Sequence, residues 1–182
     1  MSSARKPVIV RKLSRDWCAG YADANPAGPN ASSNSTELEL LDSSGKLLRI
    51  AWDQIKWVCY VRELGPGENP SQISGNDSYY PERLLRRSFT SRPRIAGLWL
   101  RITLRDGDEL EGVAANDRSL VDGAGLLLIP PDTRSNTQRI FVPRSAIREL
   151  TVLAVISPSG SSRHKTTLQA DPQPELFEND AE

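Results

Sequence analysis

The stretch Leu100-Arg-Ile-Thr-Leu-Arg-Asp-Gly-Asp-Glu-Leu-Glu-Gly112-Val113 decides the fold. Leu100, Ile102 and Leu104 alternate with Arg101, Thr103 and Arg105, which is the two-residue period of a half-buried strand. Asp106-Gly107 is the signal of a tight hairpin. A second strand follows, with Gly112 late in it, where glycine marks a sharp bend or a close backbone approach. The same plan occurs earlier, in Val8-Ile-Val-Arg-Lys-Leu-Ser-Arg-Asp-Trp-Cys-Ala-Gly20-Tyr21.

A further pair of segments extends the repeat. Lys46-Leu-Leu-Arg-Ile-Ala-Trp-Asp-Gln-Ile55-Lys-Trp-Val-Cys-Tyr-Val61 matches Arg139-Ile-Phe-Val-Pro-Arg-Ser-Ala-Ile147-Arg-Glu-Leu-Thr-Val-Leu153. Each is a short apolar strand, a polar break, an isoleucine and a further apolar strand. Gly20 to Ile55 and Gly112 to Ile147 both span 35 residues, so both landmarks recur at an offset of 92. Internal repetition of this kind means one supersecondary unit used twice. Glu37–Leu41 and Leu126–Ile129 read as third strands, and Trp52–Ile55 and Pro143–Ile147 as single helical turns between strands four and five. A short five-stranded sheet with a glycine bend curls into a barrel. The predicted fold is therefore all-β: two tandem five-stranded SH3-like small barrels, over residues 7–62 and 96–156. A linker over 63–95 joins them, and an acidic tail over 157–182 is expected to be disordered. Setting these and the Pro/Gly/Ser/Asn loop 23–36 aside leaves roughly fifty residues per barrel, marginal for an independent core. The barrels are expected to pack on each other or on a second chain, through the apolar fifth strands Ile55–Val61 and Ile147–Ile156.

The second half resembles the Sm/Hfq family. LRDGDELEGVAAND is similar to the first Sm motif, and RIFVPRSAIREL to the passage from strand four into strand five of Hfq. The Arg-Gly of the second Sm motif and the Lys-His pair that Hfq uses for RNA are absent. The whole chain, with NTQRIFVPRSAIREL, also resembles an uncharacterised bacterial family of tandem small barrels. The resemblance implies an Sm-like fold, and RNA as one class of partner. The loop Asn116-Asp117-Arg118 and the turn around Arg144 would then be the contacts, although neither carries an aromatic for base stacking.

Composition narrows the chemistry. Twenty-three Lys and Arg balance twenty-three Asp and Glu, and apolar residues make up 38% of 182. A neutral chain is a poor polyanion binder overall. No apolar run is long enough for a bilayer span, and the N-terminus does not read as a secretory signal, so a cytoplasmic protein without membrane contact is expected. The single histidine, His164, lies in the polar tail, away from any core that would orient it for nucleophilic catalysis. Cys18 and Cys59 sit in apolar stretches and read as small buried hydrophobes in a reducing compartment. No metal-ligand spacing, Walker loop or dinucleotide fingerprint is present. Asp106/Asp108 and Glu109/Glu111 read as solvated turn acids. No cofactor and no enzymatic activity are expected.

One charge anomaly stands out. Arg83, Arg86, Arg87, Arg92 and Arg94 fall within twelve residues that contain no acid. They read as solvated surface cover, as a nucleic-acid or nucleotide contact, or as a dock for an acidic partner such as the chain's own tail. The nucleotide form resembles the PilZ family of cyclic-di-GMP binders. Arg83-Leu-Leu-Arg-Arg87 matches its Arg-x-x-x-Arg, and Asp117-Arg-Ser119-Leu-Val-Asp-Gly123 matches its second motif with the glycine one residue late. The leading expectation is a non-catalytic binding or adaptor module whose partner is a protein, or a second copy, at the barrel edges. RNA and a cyclic dinucleotide are the alternatives.

Overall fold

A computed structural model describes residues 5–24, 36–65, 88–132 and 135–157. The strands are β1 (Arg5–Lys12), β2 (Trp17–Asp23), β3 (Glu37–Leu41), β4 (Leu47–Ala51), β5 (Ile55–Val61), β6 (Gly97–Leu104), β7 (Glu109–Ala114), β8 (Gly125–Ile129), β9 (Thr137–Pro143) and β10 (Ile147–Ile156). Single 3-10 turns at Trp52–Gln54 and Arg144–Ala146 lead into β5 and β10. No α-helix occurs among the described residues.

All ten strands form one antiparallel sheet in the order β10-β6-β7-β8-β9-β5-β1-β2-β3-β4. Each half therefore has the order five-one-two-three-four. The expected all-β class is observed, with both halves in one continuous sheet. β9 pairs with β5 of the other half and not with β10, so the sheet stays open. Most of the loop 23–36, the centre of the linker and the tail beyond residue 157 lie outside the described residues.

The repeat read from the sequence recurs in the hydrogen-bonding registers. Val8↔Gly20 and Val10↔Cys18 in the first half correspond to Leu100↔Gly112 and Ile102↔Leu110 in the second. Between strands one and five, Val8↔Tyr60 and Val10↔Val58 correspond to Leu100↔Val152 and Ile102↔Leu150. Both of these ladders shift register at the start of the fifth strand, between Arg11 and Lys12 and between Ile147 and Glu149. The first hairpin repeats atom for atom. Lys12 N–H donates to the Asp16 carbonyl at 2.9 Å, and Leu104 N–H to that of Asp108 at 2.8 Å. Arg15, with φ 71°, occupies the left-handed position that Gly107 fills at φ 88°. The first half thus makes the same turn with a residue that strains at that φ.

The alternating pattern sorts the side chains into two cores that meet at β5. Val8, Val10, Leu38, Leu40, Ile50, Ile55, Val58 and Tyr60 form one, and Phe141 of the second half completes it. Leu100, Ile102, Leu104, Leu126, Leu128 and Val142 belong to the other, together with Ile9, Trp57, Cys59 and Val61 of the first half. Every residue of β5 is buried. This explains why Ile55-Lys-Trp-Val-Cys-Tyr-Val61 is almost continuously apolar, as strands covered on both faces are.

The glycine bends are steric necessities. A Cβ on Gly20 would lie 2.4 Å from the Leu41 carbonyl oxygen, and one on Gly112 would lie 2.8 Å from Leu128 Cβ. Alanine at either position is expected to cost about 1–3 kcal/mol through overpacking. Gly20→Ala should cost more, because a backbone oxygen yields less readily than a side chain. Urea unfolding of the two variants checks the order; equal and negligible losses would contradict it.

Candidate functional site

The boundary between the halves is held by more than the sheet ladder. Val58↔Phe141, Cys59↔Ile140 and Tyr60↔Arg139 pair β5 with β9. The Trp52 and Phe141 rings lie 5.3 Å apart at a tilt of 59°. Ser145 Oγ donates to the Trp52 carbonyl at 2.9 Å. At the far end of the ladder, Asn136 Oδ1 accepts from the Arg62 and Glu63 N–H groups, and Asn136 Nδ2 donates to the Glu63 carbonyl at 2.8 Å.

Lys56 makes the ionic part of this joint. It is only 4% exposed, and its ammonium lies 2.5 Å from both Asp106 Oδ2 and Asp108 Oδ2 across the boundary, over the Trp57 ring at 4.6 Å. The two aspartates of the hairpin are therefore not free turn acids, as the sequence reading had them. They compensate a buried cation that lies some fifty residues away in the chain.

Glu111 departs from that reading as well. It is 4% exposed and accepts from Phe89 N–H at 3.1 Å, Trp99 Nε1 at 3.1 Å and Arg101 Nη2 at 2.9 Å. Burial alone would raise its carboxyl, but the bonds from Arg101, Phe89 and Trp99 overcome this and hold it below the usual carboxylate range. Glu111 thereby pins the C-terminal part of the linker, with Phe89 edge-on to Trp99 at 5.8 Å.

The sequence-predicted binding residues divide into groups. Arg83, Arg86 and Arg87 lie outside the described residues. Arg92 and Arg94 are exposed on the pinned segment, and Arg92 Nη2 donates to the Val155 carbonyl at 3.1 Å at the end of β10. Asn116, Asp117 and Arg118 lie in the loop that follows β7, and the 3-10 turn swings Arg144 over the later part of that loop. Arg144 Nη2 donates to the Ser119 and Leu120 carbonyls at 2.8 and 3.2 Å, and its Nε to Gly123 at 3.3 Å. Asp117 caps the short turn by accepting from Ser119 N–H and Oγ, bonds that hold its carboxyl low. Arg118 pairs with Asp122 at 2.9 Å in solvent. The Arg144 guanidinium that the Sm resemblance implies for RNA contact is thus engaged in closing a loop.

Burial of Cys18 raises its thiol pKa, with Lys12 opposing and Asp16 adding to the shift, so it is held as the neutral thiol rather than the nucleophilic thiolate. Among the described residues no group of three or more His, Cys, Asp or Glu side chains is placed to hold a metal ion. No helix among them is long and apolar enough to cross a membrane.

The strands with an unpaired side are β10 and β4. β10 is the counterpart of β5, yet it is largely exposed where β5 is covered, with Val152 and Val155 in solvent. The expectation that both apolar fifth strands make interfaces holds within this chain for β5 only. β4 is the counterpart of β9 and leaves Leu47 exposed. Open edges present unpaired backbone groups that invite a further strand.

The profile of a family described as a family of unknown function (DUF6982) matches residues 4–154. No curated protein and no solved structure matches the chain.

Two outcomes test this joint. Asp106→Asn with Asp108→Asn strands a buried ammonium and is expected to cost about 3 kcal/mol, whereas Lys56→Met, which lets the half-exposed aspartates rehydrate, should cost less than about 1 kcal/mol. Denaturant unfolding of both variants would contradict this if the order were reversed. The depressed Glu111 carboxyl contributes stability that is complete above its unfolded value of about 4.3 and is lost as pH falls through its lower folded value. Glu111→Gln should therefore flatten the acid limb of a stability–pH curve; an unchanged slope below that value would contradict the assignment.

Proposed function

The chain belongs to the DUF6982 family, and we propose that it is a non-catalytic binding module, built of two Sm/Hfq-like small barrels, that engages protein partners or further copies of itself by strand addition at its open edges. The observation that carries this reading is the internal β5–β9 joint, in which the chain already binds one half to the other edge to edge. Strand addition draws its affinity from main-chain hydrogen bonds and its selectivity from alternate side chains. The repeated five-one-two-three-four strand order and the glycine bends support the small-barrel description. The taking-up of Arg144 donors by loop carbonyls favours the edges over the arginine loop as the contact surface.

Lysine placed on an edge strand blocks pairing at little cost to a surface position. Leu47→Lys and Val152→Lys are expected to fold normally and to lose partners that the wild type retains in affinity capture, each variant losing those that use its own edge. Capture unaffected by either variant would contradict the reading, as would turnover of a substrate by the purified protein. Single-stranded RNA titrated at low and high salt should give no salt-sensitive binding; a steep salt dependence would favour RNA instead.

A further inference from the structure

One contact ties the linker to an open edge. Arg92 Nη2 donates to the Val155 carbonyl of β10 at 3.1 Å. Val155 lies 92 residues after Glu63, the offset of the repeat. In the internal joint the Glu63 carbonyl accepts from Asn136 Nδ2 at 2.8 Å, a donor that stands just ahead of the added strand β9. The Arg92 guanidinium thus takes the place at which an incoming strand would set a donor. We propose that residues 89–94 form an autoinhibitory strap, which holds Arg92 on the end of the β10 edge so that a partner strand must displace it to pair there. This rests on the reading of the edges as binding surfaces, and it adds the regulation of one of them.

The strap has a firm anchor. Phe89 N–H is held by the buried Glu111 carboxylate at 3.1 Å, and the Phe89 ring meets Trp99 edge-on. Trp99 Nε1 and Arg101 Nη2, both on β6, donate to the same carboxylate. Hydrogen bonds to an ionised acceptor are the stronger kind. Pro93, the neighbour of Arg92, is buried as well. The anchor is also selective between the halves. The repeat offset carries Trp99, Arg101 and Glu111 onto Pro7, Ile9 and Ala19, none of which has a side chain able to hold a passing amide. The fifth strand of that half is already covered by β9. The anchor is therefore present only in the half whose fifth strand stands open.

The guard itself is weak. A permanent cover buries the edge it protects, yet Val152 and Val155 remain 51% and 58% exposed. Arg92 is exposed too, and its contact with the edge is a hydrogen bond in solvent. Arginine carries donors and no acceptor. It satisfies the carbonyl but offers nothing to the N–H groups that an added strand would satisfy, so it attenuates pairing without replacing it. Strong bonds at Phe89 and a weak one at Arg92 let the guard release while the strap stays in place.

Calorimetric titration of the full-length chain with a synthetic peptide tests this. The peptide covers residues 136–143, the strand that β5 accepts within the chain. Arg92→Ala should bind it roughly threefold to tenfold more tightly than the wild type, the equivalent of one net hydrogen bond. Arg92→Lys keeps a donor and should stay near the wild type. Glu111→Gln should speed hydrogen exchange at the Phe89 amide and bind as tightly as Arg92→Ala. Val152→Lys added to Arg92→Ala should abolish binding. Equal affinity in the wild type and Arg92→Ala, with binding still blocked by Val152→Lys, overturns the strap and leaves the edge reading standing. No binding even to Arg92→Ala overturns both.

Discussion

The structure depends on one strand being shared. β5 pairs with β1 along one side and with β9 along the other, and it buries side chains into a core on each face. A small sheet of this size buries too little apolar surface to offset the conformational entropy of its own ordering. Sharing β5 lets each half lend residues to the other: Phe141 enters the first core, and Trp57, Cys59 and Val61 enter the second. The cost of hiding Lys56 in that joint is offset by two carboxylates that reach it from the partner half.

Much of this was legible in the sequence because strand alternation, the Asp-Gly turn and the two mid-strand glycines are local signals. They place every strand of the repeat, and the offset of 92 predicts registers that the structure reproduces. The pairing of β9 with β5 was not legible. Both Ile55–Val61 and Ile147–Ile156 read as apolar fifth strands, and only long-range placement decides that the first is covered and the second stands at an edge. The local difference is confined to Trp57 and Cys59, whose counterparts Glu149 and Thr151 interrupt the apolar run.

The candidate site was less legible for a related reason. Charged residues near a turn look alike whether solvated or paired. Asp106 and Asp108 are set apart only by Lys56, and Glu111 only by Arg101, Trp99 and the Phe89 amide, a set assembled by folding. Arg144 was expected at a loop surface and is at one, but the 3-10 turn aims its donors at carbonyls of the neighbouring loop. The same long-range arrangement that hid these contacts from the sequence joins the halves and leaves β4 and β10 open.

If β5 fuses the halves into one folding unit, damage in one core must be felt in the other. Native-state hydrogen exchange on Leu128→Ala is the most direct measurement. Leu128 is 1% exposed in the second core, and its truncation should cost about 2–5 kcal/mol. The account predicts that the slowest amides of β1, β3 and β5 lose protection by the same free energy as those of β8. Full retention of protection in the first half, with loss confined to the second, would contradict it.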